Sequence, residues 1–388
     1  MDGIALFWFL LGALLFFGAE YAGRGKWNEG YTSREQTGVL RGIMALGIML
    51  HHMGQKTCAP WHPAEYTVHG LDFFVPIGYL LVGVFLFCSG LGLYRSLHAK
   101  PDYLKNFFRR RIWPMVITFY LSEYVHIAVR LLMGQKMDTA ELLWYLSGLH
   151  MANFNAWYLA VIPFFYLAFW AAFRFCRREG TAIKWVFAFS AAYAALGALN
   201  GHRDGWWLSG EWWYNSILLF PLGLLFGRYE KNVTRFFRRR YRLWLALSVL
   251  SFAALYPGSD FLVNRVLGYY GSGGAGRILA SCLVSAASQW LVCAVFAVFW
   301  FLLMMKFRLG NAVLSFFGAM SLDLYLMHGI FAEMFGYSFL GLFPSVVYIR
   351  SVPVYILAVL GFSIPAAALF RLLRKSAVKL LIPGGKDG

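Results

Sequence analysis

The stretch Leu40–His52, LRGIMALGIMLHH, decides the fold. It is an apolar helical run with an arginine near one end and a histidine pair at the other. Arg41 and His52 are eleven residues apart. At 3.6 residues per turn this is just over three turns, so both side chains leave nearly the same face, roughly 16 Å apart along the axis. His51 lies about 100° further round the helix and points elsewhere. Ionisable side chains within a membrane span are costly, and those that occur usually face a cavity and mark function. The competing reading has Arg41 snorkelling to an interface and His52 ending the helix. The stretch alone leaves both open.

Composition makes this helix one of many. Of 388 residues, 60% are hydrophobic and only 14% charged, against about 25% charged in a soluble domain. The fold class is therefore all-α, a polytopic helical bundle in a membrane. Apolar runs of roughly 17–25 residues predict eleven transmembrane helices: Ile4–Tyr21, Gly38–Met53, Phe73–Tyr94, Ile112–Met133, Trp157–Phe175, Trp185–Leu199, Trp213–Gly227, Leu243–Tyr256, Ile278–Met305, Ala312–Phe335 and Val352–Leu373. The net charge of +17 would suggest nucleic acid in a soluble chain. Here the basic residues sit in short loops between spans, which the positive-inside rule explains without a nucleic-acid partner. With the N-terminus outside, 28 of the 35 lysines and arginines fall in cytoplasmic loops and the C-terminus is cytoplasmic. Only Lys56, Arg130, Lys136, Arg203, Arg265, Arg277 and Arg350 fall outside. A cleaved signal peptide over the first span would put the Arg24 and Lys26 loop outside, against that rule. The five cysteines show no CxxC or Cys/His spacing, so neither a disulfide framework nor a metal site is expected.

This topology puts Arg41 at the cytoplasmic end of its helix and His52 towards the outer face. A neutral imidazole suits abstraction of a hydroxyl proton, so His52 is the candidate base; an interfacial histidine bonded to backbone is the bland alternative. Arg109, Arg110 and Arg111, in YLKNFFRRRIWP (Tyr103–Pro114), form a basic patch able to clamp phosphates. Such triplets also anchor spans to anionic lipid. Glu123, His126 and Arg130 share one helical face, either neutralising one another or lining an acceptor pocket. The tenth span, SLDLYLMHGIFAEMF, carries Asp323, Tyr325, His328 and Glu333. Tyr325 and His328 lie on one face, and His328 falls at a depth similar to that of His52.

Taken together and in order, these segments resemble the acyltransferase 3 family of integral membrane acyltransferases. The Arg41-x10-His52 spacing matches the family's first-helix signature. GYLLVGVFLFCSGLGLYRSL (Gly78–Leu97) is similar to its second-helix segment with a Ser-Gly pair, here Ser89-Gly90. FFRRRIWP resembles its basic segment closed by proline, NAWYLAVIPFFYL (Asn155–Leu167) its Trp-Tyr/Phe-Leu stretch, and SLDLYLMH its late Ser…Tyr-Leu-x-His element. Three departures stand out. Ile4–Tyr21 is extra to a ten-span core, Phe108 replaces a frequent arginine, and Leu322 replaces a frequent tyrosine.

The resemblance implies residues 1–37 as an extra helix and loop, 38–376 as the acyltransferase-like membrane domain and 377–388 as a short cytoplasmic tail. It implies O-acyl transfer, usually acetyl, from cytoplasmic acetyl-CoA or another acyl-CoA to a hydroxyl of a cell-surface glycan or lipid-linked saccharide. His52, Arg41 and His328 are then the catalytic candidates. Arg109, Arg110, Arg111, Tyr325, Asp323, Glu123 and Trp157 are the candidates for binding substrate or CoA. Expected partners are acyl-CoA, the saccharide acceptor and membrane lipid, with no metal, in a multi-pass protein of the cell membrane. A transporter or flippase of a polysaccharide or lipid precursor is the rival reading; an enzyme releases CoA thiol in the presence of acceptor, and a transporter does not.

Overall fold

The computed structural model describes residues 3–200, 202, 210–271, 273–337 and 346–382. Arg203 and the tail beyond Ile382 lie outside the described residues. Twelve α-helices occur among them, and the only extended pairing is a two-residue antiparallel ladder. The helices are α1 (Gly3–Phe16), α2 (Arg34–Gln55), α3 (Gly78–Ala99), α4 (Trp113–Leu132), α5 (Thr139–Ser147), α6 (Trp157–Phe175), α7 (Glu179–Leu199), α8 (Leu219–Arg239), α9 (Tyr241–Phe261), α10 (Ala275–Lys306), α11 (Ala312–Phe335) and α12 (Val352–Leu381).

Among the described residues, eight segments are long and apolar enough to cross a membrane, those built on α3, α4, α6, α7, α9, α10, α11 and α12. The other three expected spans each contain a helix that differs from these. α1 is apolar but has 14 residues, about 21 Å at 1.5 Å per residue. α2 is long enough, but Arg34, Glu35, Arg41 and its two histidines dilute its hydropathy. α8 starts at Leu219, later than the expected Trp213, and has an apolar first half and a basic second half with a kink at Tyr229 between them. The short α5 was not expected; it is capped by Asp138, whose side chain accepts from the Glu141 N–H (2.7 Å), and ends at Gly148 with φ 73°.

Glycines set the packing that matters for the site. Gly38 and Gly42 are four apart on α2, and Gly318 of α11 fits between them. A Cβ on Gly42 would stand 2.8 Å from the Gly318 nitrogen, and one on Gly318 would stand 2.2 Å from the Gly38 oxygen. Small residues at such spacing let helix backbones approach closely in a membrane, where burial of apolar surface between helices supplies no drive. α2 and α11 are therefore in near-backbone contact and run parallel. α3 and α8 repeat the arrangement: Gly90 lies on Phe220 and Leu224, Gly223 on Phe87 and Leu91, and Gly227 on the Tyr94 ring. α3 returns antiparallel to α2, with Gly47 against Leu81 and His51 against Gly78.

Around this core, α12 runs antiparallel to α11. The Arg374 guanidinium donates from Nε and Nη2 to the two oxygens of Asp323 (2.7 and 3.1 Å), and the Tyr355 hydroxyl donates to the Ala332 carbonyl (2.7 Å). The loop after α1 closes over the other end of the bundle. Glu20–Tyr21 (β1) pairs with Phe307–Arg308 (β2). Lys306 Nζ donates to the carbonyls of Gly23 (3.2 Å) and Lys26 (2.6 Å) and lies 4.0 Å from the centre of the Trp27 ring.

Candidate active site

The parallel packing of α2 on α11 brings two histidines together. Glycine contact at residues 42 and 318 continues, at the same offset, to His52 and His328, whose rings stack at 4.9 Å and 10°. His52 Nδ1 and His328 Nε2 are 2.7 Å apart. The rest of the network fixes which nitrogen carries the proton. His328 Nδ1 donates to the Leu324 carbonyl at 2.8 Å, because a carbonyl only accepts. In the neutral ring, His328 Nε2 is then bare and accepts from His52 Nδ1. This leaves His52 Nε2 with a free lone pair and no protein partner among the described residues. A buried neighbour that holds Nδ1–H and orients the ring is how an imidazole is prepared as a base. His328, fully buried, stands where such an orienting neighbour would stand.

Tyr325, one turn before His328, completes a triangle. Its ring centre is 6.5 Å from that of His52 and 6.4 Å from that of His328. The Tyr325 hydroxyl is buried and its proton has no protein acceptor among the described residues. It lies beside the Tyr158 backbone in the first turn of α6. His51 points away as its position on the helix requires, donating from Nδ1 to the Phe74 carbonyl (2.9 Å).

The other candidates divide by location. Glu123 is fully buried, and its Oε2 accepts from the backbone N–H groups of Ala152 (2.5 Å) and Asn153 (3.1 Å). Arg130 donates to the Ala152 carbonyl. The Asn153 amide donates to Ser122 Oγ (2.8 Å) and to the Leu326 carbonyl (3.0 Å), two residues from His328. The Glu123 face of α4 therefore pins the α5–α6 loop against α11. Asp323 is 1% exposed and held by Arg374. Trp157 packs in the core, 6.3 Å from Trp213. None of these three touches the histidines.

At the opposite end, Arg41 is half-buried, and its Nε donates to the Thr37 carbonyl (3.3 Å). The arginine triplet falls in a π turn, Phe108–Ile112, a wider turn often found at functional sites. Arg109 and Arg110 face out, whereas Arg111 donates from Nε to the Tyr103 hydroxyl (3.0 Å). Arg41 and Arg111 both lie within electrostatic reach of Tyr166, whose hydroxyl is 2.8 Å from Ser89 Oγ. Tyr158 also approaches Ser89, and its ring centre is 6.4 Å from that of Tyr325. A polar line thus crosses the bundle from Arg111 and Arg41, through Tyr166, Ser89, Tyr158 and Tyr325, to His328 and His52. An open cleft of about 590 Å3 lies elsewhere, between Arg109, Trp113, Ile117, Leu381 and Ile382. It does not reach the histidines.

The sequence gives no separate signal for Ser89's partner Tyr166 or for Asn155, which lies against Gly329, although both fall in the NAWYLAVIPFFYL stretch. The hydroxyls of Tyr158 and Tyr166 recur at helical spacing in α6, a pattern that an apolar, aromatic stretch conceals. No curated protein and no solved structure matches the chain. The family model described as an acyltransferase domain, acyltransferase 3, matches residues 38–372. That match covers α2 to the greater part of α12, includes both histidines, and leaves α1 and its loop outside. The chain belongs to the acyltransferase 3 family, as a multi-pass membrane acyltransferase.

Proposed function

We propose that the protein moves an acyl group, acetyl first among the possibilities, from cytoplasmic acyl-CoA to a hydroxyl of a surface glycan or lipid-linked saccharide. The observation that carries this reading is the His52–His328 pair, which leaves one imidazole nitrogen bare in an acyltransferase. The charge bias of the loops supports an N-terminus outside and a C-terminus in the cytoplasm, with α2 and α11 running from inside to outside. Arg41, Arg111 and the exposed Arg109 and Arg110 then meet the phosphates of CoA at the inner face. Guanidinium groups suit that task because they bind phosphate oxygens in pairs.

Along α2, Arg41 and His52 are roughly 16 Å apart, a length that an extended thioester arm can cover beside Tyr166, Ser89 and Tyr158. His52 Nε2 takes the acceptor hydroxyl proton as that oxygen attacks the thioester carbonyl. The tetrahedral intermediate collapses with cleavage of the C–S bond, and the departing thiolate takes the proton from His52 Nε2. The products are an ester and CoA thiol, with no net proton released. Glu123, Asp323 and Trp157 hold the frame around this step.

The test is mass spectrometry of surface glycans and lipid-linked saccharides from cells with the intact gene, a deletion, or His52→Ala. Loss of one O-acyl mass increment in both altered strains is expected, and it names the acyl group and the acceptor together. An unchanged increment in a well-produced His52→Ala strain defeats the reading.

A further inference from the structure

Two polar groups at the histidine site keep hydrogen-bonding capacity that the folded chain does not use. The first is the Tyr325 hydroxyl: the residue is 9% exposed, the Tyr158 backbone N–H approaches its oxygen, and its proton has no protein acceptor among the described residues. The second is the Asn155 side chain. Its backbone N–H donates to Asn153 Oδ1 (3.1 Å), but its amide has no protein partner among the described residues. A buried hydroxyl without an acceptor is unfavourable, so the Tyr325 hydroxyl persists where a ligand uses it, and the half-buried Asn155 amide beside it is open to the same ligand.

Both groups belong to one constellation. Asn155 and Tyr158 stand one turn apart where α6 begins; Gly329 and Tyr325 stand one turn apart on α11. The Asn155 amide nitrogen lies where a Cβ on residue 329 would have to go, 2.2 Å from that position, and Tyr158 meets Tyr325 edge to face. Only glycine at 329 leaves the amide its place. Residue 329 adjoins His328, and the Tyr325 ring faces both histidines.

We infer that the Asn155 amide and the Tyr325 hydroxyl bind the carbonyl oxygen of the transferred acyl group and its oxyanion, on the side away from the His52 base. This rests on the acyl-transfer reading above. The chemistry requires such a site, because negative charge collects on that oxygen as the acceptor attacks. Donors already in place for it act without reorganisation, and removing one typically costs about 10²–10³ in rate. The pair also bears on the acyl group accepted: an amide and a phenol fixed beside α11 place the carbonyl, and the acyl chain beyond it must fit what Gly329 leaves open.

The test uses membranes from cells producing the full-length chain, incubated with radiolabelled acetyl-CoA, with label counted in extracted saccharide and lipid. Asn155→Ala and Tyr325→Phe are each expected to lower the turnover rate about 10²–10³-fold while leaving the KM for acetyl-CoA within about threefold. Gly329→Ala, which touches neither substrate nor base, should reproduce Asn155→Ala by displacing the amide. The double variant Gly329→Ala/Asn155→Ala should be no slower than Asn155→Ala alone, a non-additivity that a general packing defect would not give. Thermal unfolding of each purified variant in detergent identifies any that fail to fold, and Tyr325→Phe, which removes a single oxygen, decides the matter if the others do. Transfer within threefold of wild type for Asn155→Ala and Tyr325→Phe, with His52→Ala inactive, overturns this inference and leaves acyl transfer standing. Label transfer undiminished in His52→Ala overturns both.

Discussion

Gly42 of α2 and Gly318 of α11 lie so close that a Cβ on the first would stand 2.8 Å from the backbone nitrogen of the second and 2.1 Å from the Leu314 oxygen. The histidine pair lies about three turns further along the same two helices. Close approach at the glycines is therefore what brings His52 within hydrogen-bond distance of His328. Gly42→Ala should push the helices apart, with a stability loss on the order of 1–3 kcal/mol, the usual range for overpacking, and a larger proportional loss of transfer. Gly12→Ala is the control, since nothing lies within 4 Å of a Cβ there. Melting in detergent and label transfer on the same preparations check this; equal behaviour of the two variants would refute it.

In the proposed mechanism His328 orients His52 and does not itself attack. His328→Ala should lower transfer by about 10²–10⁴-fold, the range that a positioned acid–base group contributes. His328→Gln offers a side-chain carbonyl to His52 Nδ1–H and should recover part of the loss. A glutamine variant no better than alanine, with both folded, would show that the His52–His328 hydrogen bond is not what His328 supplies.

The Asp323–Arg374 pair is a structural tie between α11 and α12, with Asp323 almost fully buried. Arg374→Ala leaves its carboxylate unpaired and should cost about 3–5 kcal/mol. The double variant Asp323→Leu/Arg374→Ala should regain most of this, since an apolar replacement of a buried pair is often neutral. Melting temperatures of the two variants and wild type give the answer. A double variant as unstable as the single one contradicts the account.

The basic triplet is divided by the π turn, so its members should differ in effect. Arg111 turns inward to Tyr103, whereas Arg109 borders an open cleft with Trp113. A charge-assisted bond contributes about 1.5–3 kcal/mol, or roughly ten- to a hundredfold in binding. Arg111→Ala should raise the KM for acetyl-CoA by that order, and Arg109→Ala by much less. Initial rates against acetyl-CoA concentration decide between them, and equal effects would show that inward and exposed residues share the clamp.

The helical architecture was legible in the sequence because long apolar runs leave little choice of structure in lipid. The spacing of Arg41 and His52 and the depth of His328 also pointed to one shared region, and the structure brings His52, His328 and Tyr325 together. Other features were hidden for physical reasons. Glu123 spaced with His126 and Arg130 looks the same whether it lines a pocket or holds a backbone loop; what it does is set by Ala152 and Asn153, some thirty residues on. Arg374 sits in a run of basic residues that reads as a membrane anchor, and only the antiparallel course of α12 directs it to Asp323. Asn155 precedes a tryptophan that dominates its motif, and its importance depends on the missing side chain of Gly329. α5 is too short and too amphipathic to register beside full spans.

The pairing of α2 with α11 also bears on how the protein is made. His52 and His328 are 276 residues apart in the chain, so at synthesis rates of about 5–20 residues per second His52 waits roughly 14–55 s for its partner to leave the ribosome. If α2 is a span, as the sequence predicts, it spends that interval in the membrane with Arg41 and both histidines but without the helix that covers its glycine face. Something must shelter it: its neighbour α3, the insertion machinery or surrounding lipid headgroups. Nascent chains that stop short of α11 should therefore be both inert and exposed to quality-control proteolysis, and that vulnerability should end abruptly once His328 is in place.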